Sequence, residues 1–183
     1  MNTTTEYSRE QSIQALRYIG NRGVIYLASP YNHPFGHIME QRFEAALHAT
    51  AYLMEQGYVV YSPIVHNHPL AKLIETTTPP DSVQAERKRR GWNYWRTFDV
   101  RMLARCNALF ILQLDGWENS VGLTEETNMA LQAQLPTYTL LPPYHLDSDQ
   151  TSYKLAYGAP YSHSTEIPIT FELTPEPQPG VYY

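Results

Sequence analysis

Short apolar runs alternate with longer segments of helical spacing between residues 23 and 142. Apolar runs without polar alternation are typical of strands covered on both faces, and β-branched and aromatic residues favour an extended chain. Four strands are predicted on this basis, at residues 23–28 (GVIYLA), 58–62 (YVVYS), 108–114 (ALFILQL) and 137–141 (TYTLL).

The segments between these strands have the spacing of helices. Apolar side chains recur at helical spacing over residues 37–56, and Gly57 is a natural stop signal. A second helix is predicted over residues 81–105. A third begins after Ser120, a candidate N-cap, and continues to Ala133.

Repeated strand–helix units with short connections predict a parallel sheet with right-handed crossovers. The expected fold class is α/β, a three-layer flavodoxin-like parallel sheet of about five strands with helices on both faces. The domain is expected over residues 23–142, after an N-terminal helix or extension over 1–22. Residues 143–183, rich in Pro and Tyr, are expected to form an extended arm on the body or on a neighbouring subunit, and ITFEL (169–173) alternates like an edge strand.

Length and composition exclude several classes of protein. A chain of 183 residues fits one domain, and its single cysteine, Cys106, excludes a disulfide framework and a multi-cysteine zinc site. The sequence begins without a basic or apolar leader and has no apolar run of membrane-spanning length, so a cytoplasmic protein with no membrane partner is expected. A net charge of −5 argues against a nucleic-acid polymer as partner.

Basic residues are concentrated between Arg87 and Arg105, which hold seven of the 13 Lys and Arg side chains. A solvated helix face is the ordinary interpretation of such a run. An anion-steering rim or a partner surface is the alternative, and RKRRGWNYW also mixes cations with aromatic rings as single-stranded nucleic-acid surfaces do.

In parallel α/β sheets, ligands bind beyond the carboxyl ends of the strands, so the loops that follow the strands are candidates. The first loop, LASPYNHPFGH (27–37), contributes Ser29 and Tyr31 and presents backbone N–H groups at a helix start. It contains neither a dinucleotide fingerprint nor a P-loop.

The second loop, SPIVHNHPL (62–70), is predicted to be broken by its prolines and carries His66 and His68. Two histidines at this spacing could bind a metal, but no third and fourth ligand stands at a recognisable spacing, so no metal is expected. Hydrogen bonding at a pocket rim is the preferred role, and plain loop positions are the alternative.

Trp92, Trp95 and Asp99 share one face of the second predicted helix. This spacing predicts either a stacking wall for a planar base with an acid beside it, or a core stripe with a surface aspartate.

Glu125 and Glu126 lie in the first turns of the third helix and cannot both face the sheet, because helix neighbours are about 100° apart. Glu126 shares a face with Met129 and Ala130, although Glu125 has the same four-residue step to Met129. Glu126 is therefore the acid expected to be buried. A buried acid needs a partner, and Tyr26 near the end of the first strand could supply a hydrogen bond.

The order YLASPY, SPI-H-HP, W–W, D and S-G-E resembles the nucleoside 2-deoxyribosyltransferase-like superfamily, which includes transferases and nucleotide N-hydrolases. The resemblance covers residues 23–142 and is greatest to an uncharacterised bacterial and phage branch. By position, it implies that Glu126, four residues after Gly122, is the nucleophile. It likewise implies that Tyr26 holds this glutamate and that Asp99 is the acid on the helix before the third strand.

Two positions bear on the substrate that the resemblance implies. Ser120 matches the serine that nucleotide hydrolases use on a 5′-phosphate, which favours a nucleotide-like substrate, although Ser120 is also an N-cap. A second family aspartate is expected near Val65–His66 and is absent, and His66 or His68 stands in its place.

The implied function is cleavage or transfer of the N-glycosidic bond of a (deoxy)ribonucleoside or its 5′-monophosphate by double displacement, without metal or organic cofactor. The implied enzyme is a homo-oligomer whose partner is that small molecule. Because the second aspartate is missing, the alternative is a nucleotide-binding sensor or regulator without turnover. The residues expected at the site are Tyr26, Asp99 and Glu126 for catalysis, and Ser29, Tyr31, His66, His68, Trp92, Trp95, Ser120 and Gly122 for substrate binding.

Overall fold

The computed structural model describes residues 11, 14–20, 22–79, 82, 92–142, 153–157 and 165–167. These residues form an α/β protein around one six-stranded sheet, which confirms the predicted fold class. The strands are β1 (Val24–Ala28), β2 (Val59–Tyr61), β3 (Ala108–Leu112), β4 (Thr137–Leu141), β5 (Lys154–Tyr157) and β6 (Thr165–Ile167).

The first four strands are parallel and lie in the order β2-β1-β3-β4, with β1 and β3 at the centre. Strands β5 and β6 continue the sheet in the antiparallel direction. The apolar segment around Leu155 pairs with β4 and is buried there, so this part of the C-terminal segment lies on the body of the protein. The predicted strand ITFEL (169–173) lies outside the described residues.

Helices cover both faces of the sheet. The helical segments are α1 (residues 14–20), α2 (Gly36–Glu55), α3 (Pro63–Thr77), α4 (Trp92–Leu103) and α5 (Val121–Gln132), with a 3₁₀ turn at Trp117–Asn119. None of the described helices has the length and apolarity needed to cross a membrane. The second predicted helix is confirmed from Trp92 onwards, while residues 83–91 are outside the described part of the chain.

Alternate residues of β1 enter two separate cores, because successive side chains of a strand point to opposite faces. Ile25 and Leu27 pack with residues of α1 and α2. Tyr26 and Ala28 pack in the other layer with residues of α4 and α5. The sheet therefore directs Tyr26 towards the helix that carries Glu126.

Residues 63–70 are helical, so the prediction of a proline-broken loop is wrong. Ser62 caps α3 by accepting a hydrogen bond from the Val65 N–H, and Pro63 occupies the first turn, where a missing N–H is no loss. Pro69 lies inside the helix at the cost of one backbone hydrogen bond. This helix buries Asn67 and His68.

Candidate active site

A cavity of about 840 Å³ lies beyond the carboxyl ends of β1 and β3, where the strand order reverses. This is the ordinary ligand position in an open α/β sheet, and the volume suits a small organic ligand. One face of α3 forms a long wall, since lining residues recur every three or four positions from Ile64 to Thr78. The opposite side is formed by the loop after β1 and the start of α5.

The start of α5 directs an acid into this cavity. Ser120 is the N-cap, and its Oγ accepts a 3.4 Å hydrogen bond from the Leu123 N–H. Glu126 follows on the buried face of the helix, is 4% exposed, and lines the cavity. The predicted hydrogen bond is present, because the fully buried Tyr26 hydroxyl donates to Glu126 Oε1 at 2.6 Å.

The neighbouring acid has a different environment. The Glu125 side chain is 39% exposed and accepts a 2.9 Å hydrogen bond from Arg96 Nε. The structure thus distinguishes the buried Glu126 from the partly exposed Glu125, which helical spacing to Met129 alone did not clearly separate. Glu125 provides a natural control for the properties of Glu126.

The pKa of Glu126 is raised from its ordinary 4.5 to about 8, chiefly by burial and in part by the nearby charge of Asp99. The hydrogen bond from Tyr26 acts in the opposite direction and lowers this pKa. Glu126 is therefore mostly protonated at neutral pH.

A second acid, Asp99 on α4, is 3% exposed and lines the same cavity. Asn67 Nδ2 on α3 donates a 3.1 Å hydrogen bond to its Oδ1. Burial raises the pKa of Asp99 to about 6, although the bond from Asn67 and the nearby His66 lower it. Asp99 is therefore not the surface residue that one interpretation of its spacing allowed.

Asn67 was missed at the level of the sequence. Its predicted place in a broken loop gave it no fixed direction, whereas α3 buries it against Asp99. The Ser62–Pro63 pair is an N-cap followed by a favourable first helical residue, and this signal could have revealed the helix.

His68, also on α3, is buried and lines the cavity. Its Nδ1 lies 2.7 Å from the Tyr31 hydroxyl, and its Nε2 lies 3.3 Å from Glu40 Oε1. Lys72 forms an ion pair with the same Glu40 oxygen. Phe43 stacks on the imidazole with ring centroids 4.0 Å apart.

Five other predicted residues line the cavity: Ser29, Tyr31, Trp95, Ser120 and Gly122. Ser29 is 6% exposed, and its Oγ has no hydrogen-bond partner among the described atoms. A buried hydroxyl without a partner is rare, so Ser29 is available to a polar group of a ligand.

Two predicted binding residues are not placed in the cavity. His66 is exposed and is not among the lining residues; its Nδ1 lies 2.9 Å from Asn67 Oδ1. The side chain of Trp92 lies outside the described residues, as does most of the basic run before it. In the described part of the chain, no three His, Cys, Asp or Glu side chains group as metal ligands.

Arg42 joins the two loops at the rim, and the sequence gave no indication of this role. Its Nη1 donates to the Asn32 carbonyl at 2.9 Å, and its Nη2 donates to the Asp115 carbonyl at 2.7 Å. Gly116 beside it has a φ of +79°, a conformation that favours glycine. The guanidinium thus fixes the loop after β1 against the loop after β3.

The family model described as "Domain of unknown function (DUF1937)" matches residues 23–140, more than half of the chain. No curated protein matches the chain. One solved structure to which the chain is similar is reported for a 2-deoxyribosyltransferase from the psychrotolerant bacterium Bacillus psychrosaccharolyticus. The identity is 19%, the match covers 70% of this chain and 79% of that chain, and the TM-score is 0.42. The roles of residues in this chain therefore rest on the geometry described above.

Proposed function

The chain belongs to the DUF1937 family, and we propose that it cleaves or transfers the N-glycosidic bond of a (deoxy)ribonucleoside or its 5′-monophosphate. The observation that carries the proposal is the buried Glu126 carboxyl, held at the cavity by a 2.6 Å hydrogen bond from Tyr26. A carboxyl fixed in this way is positioned to attack a carbon rather than to interact with solvent.

The proposed reaction has two displacements at the anomeric carbon. The ionised Glu126 oxygen forms a bond to C1′ as the bond from C1′ to the base nitrogen breaks. Asp99 gives its proton to the departing base, which leaves neutral. The result is a glycosyl ester on Glu126 and an ionised Asp99.

The second displacement releases the sugar. A water molecule, or the ring nitrogen of a second base, attacks C1′ of the ester and gives its proton to Asp99. Glu126 then leaves as a carboxylate, and both acids return to their starting states. Attack by water completes hydrolysis and attack by a base completes transfer, with retention of configuration in either case.

The two raised pKa values support a shared proton. Asp99 loses its proton at about pH 6 and Glu126 at about pH 8, so between these values the pair carries one proton and one negative charge. The reactive arrangement places that proton on Asp99. Binding of a base nitrogen beside Asp99, or of a developing positive charge at C1′ beside Glu126, favours this arrangement.

The remaining lining residues support a nucleotide-like substrate. Trp95 precedes Asp99 by one helical turn on α4 and can stack on a planar base. Ser120 and Gly122 stand at the N-terminus of α5, where backbone N–H groups favour hydroxyl oxygens or a phosphate. The orphan hydroxyl of Ser29 can bond to the sugar.

The test is to incubate the protein with a panel of nucleosides and their 5′-monophosphates and to measure free base by chromatography. Glu126→Gln should lower release by about 10³-fold or more, because the amide is not a nucleophile. Glu125→Gln is the matched control and should release base at the wild-type rate. Addition of a second base distinguishes transfer from hydrolysis. Release that is equal in all three proteins would remove Glu126 from the mechanism.

A second candidate function is binding of the same ligand without turnover. Its support is that Glu126 holds its proton at neutral pH, since a neutral carboxyl can form hydrogen bonds but cannot attack. Calorimetry showing tight binding of a nucleotide, with no base released at any pH between 6 and 9 over days, would favour this sensor function over catalysis.

A further inference from the structure

A chain of polar contacts along the cavity wall determines whether the Tyr31 hydroxyl can donate a hydrogen bond to a ligand or only accept one. The Tyr31 hydroxyl and His68 Nδ1 form a 2.7 Å hydrogen bond, and His68 Nε2 lies 3.3 Å from Glu40 Oε1, a polar contact that orients the ring. All three residues line the cavity. The direction of each bond follows from the group at the far end.

Glu40, at the far end of this chain of contacts, can only accept a hydrogen bond. Lys72 forms an ion pair with Glu40 and holds the pKa of that carboxyl below its usual value, so Glu40 is ionised and has no proton to donate. His68 must therefore carry its hydrogen on Nε2. Burial lowers the pKa of His68, and the stacked ring of Phe43 covers the imidazole, so the ring is neutral. The neutral ring leaves Nδ1 as an acceptor.

The Tyr31 hydroxyl is thus the donor to Nδ1 and has no second proton. Burial raises the pKa of Tyr31 to about 12, so the hydroxyl keeps the proton that it shares with His68. Any further bond that the Tyr31 oxygen makes in the cavity must be one that it accepts.

The place of this hydroxyl indicates what it would meet. His68 directly follows Asn67 on α3, and Asn67 is bonded to Asp99, the acid proposed to face the departing base. The residue that orients Tyr31 and the residue that bonds Asp99 are therefore consecutive on α3. Tyr31 and Asp99 also line the same cavity, so a base held against Asp99 shares that cavity with the Tyr31 hydroxyl.

We propose that Tyr31, oriented by His68 and Glu40, selects a base that carries an exocyclic amine over one that carries a carbonyl at the same position. The inference rests on the proposed function, since it takes the ligand to be a nucleoside or nucleotide. An amine N–H can be accepted by the Tyr31 oxygen. A carbonyl would place two acceptors against each other and leave both without a proton, a mismatch that such sites reject strongly.

The ligand test uses calorimetry on the Glu126→Gln protein, which should not turn the ligands over. It compares adenosine with inosine, and cytidine with uridine, each as the 5′-monophosphate. The amino member of at least one pair should bind about tenfold or more tightly. When Tyr31→Phe is added, the two members of the pair should bind with equal affinity. Binding without preference, or a preference that survives Tyr31→Phe, would overturn the inference and leave the proposed function standing. Failure of every nucleotide to bind would overturn both.

A second test needs no ligand. The ¹⁵N resonances of the His68 ring in the full chain should show a hydrogen on Nε2 and none on Nδ1. Glu40→Gln should disturb this tautomer because the amide can donate as well as accept. Glu44→Gln, one turn later on the exposed side of α2, is the control and should leave it unchanged. A hydrogen on Nδ1 in the wild-type protein would overturn the inference, since Tyr31 would then be free to donate.

Discussion

The Tyr26 hydroxyl on β1 and the Glu126 carboxyl on α5 are 100 residues apart in the sequence and are joined by a 2.6 Å hydrogen bond in the buried interior. The alternation of β1 directs Tyr26 into the layer of α5, and the Ser120 cap sets where that helix begins. The orientation of the acid is thus determined by the centre of the sheet rather than by a loop.

Tyr26→Phe removes this bond and leaves Glu126 without its donor. The free energy of unfolding should fall by about 1–3 kcal/mol, the usual cost of a buried polar group without a partner. Because the bond lowers the pKa of Glu126, its loss should also raise that pKa and reduce activity at neutral pH. Urea denaturation and base-release assays provide the two measurements. Tyr61→Phe, whose ring centroid lies 5.7 Å from that of Tyr26, controls for packing and should change activity much less.

Glu126→Gln should change how stability depends on pH. Burial raises the pKa of Glu126 from 4.5 to about 8, so in this interval the folded protein holds a proton that the unfolded chain has lost. The stability linked to that proton is complete below pH 4.5 and is lost as the pH rises through about 8. Glutamine does not titrate, so the variant should become more stable than the wild type by a few kcal/mol as the pH is raised.

Chemical denaturation at several pH values across this interval measures the difference between the two proteins. The difference reports the titration of Glu126 together with its coupling to Asp99, which is present in both proteins. Glu125→Gln should follow the wild-type curve, because the Glu125 side chain is 39% exposed and bound to Arg96. A parallel course of the wild-type and Glu126→Gln curves would show that Glu126 titrates as an ordinary surface acid.

Catalysis should follow a bell-shaped pH profile with limbs near pH 6 and pH 8, the values to which the pKa of Asp99 and that of Glu126 are raised. Below the first limb both acids are protonated and no nucleophile exists. Above the second limb both are ionised and no acid remains to protonate the base. Asp99→Asn should reduce the rate by about 10²–10⁴-fold, the usual contribution of a general acid. An Asp99→Asn protein with the wild-type rate and profile would exclude Asp99 as the acid.

Gly116→Ala should loosen the rim of the cavity. A Cβ there would lie 3.1 Å from Arg42 Nη2, and the φ of +79° is strained for alanine, at a cost of about 1–3 kcal/mol. The melting temperature in thermal denaturation and the affinity for ligand should both fall. Gly36→Ala is the matched control, because a Cβ at the start of α2 meets no atom within 4 Å among the described residues. Gly36→Ala should be neutral or slightly stabilising, so equal destabilisation of the two variants would contradict the interpretation.

Local patterns were sufficient for most of the sheet and for the helices around Leu53 and Ala130, because their burial is periodic in the sequence. The pairing of Tyr26 with Glu126 was also predictable, since a buried acid needs a donor. The α3 segment was not predictable in this way, because Pro63 and Pro69 are typical of a broken loop, although a proline such as Pro63 also favours the first turn of a helix. The error hid Asn67, whose role depends on the crossing of α3 and α4.

Several other contacts could not be predicted from the sequence. The bond of His68 to Glu40 joins α3 with α2, and the bonds of Arg42 end on backbone carbonyls, which leave no trace in side-chain spacing. The pairing of β5 with β4 likewise depends on an unfilled sheet edge rather than on the four residues of β5.

Of the side chains on the long α3 wall, Asn67 is bonded to Asp99 and has to be kept. Glu126 and Tyr26 belong to α5 and β1, whereas the cavity face of α3 carries no part of that pair. Substitutions at positions such as Ile64 or Ala71 should therefore change the shape of the cavity without moving the Glu126 carboxyl. A scaffold of this kind can come to bind different ligands through substitutions along a single helix.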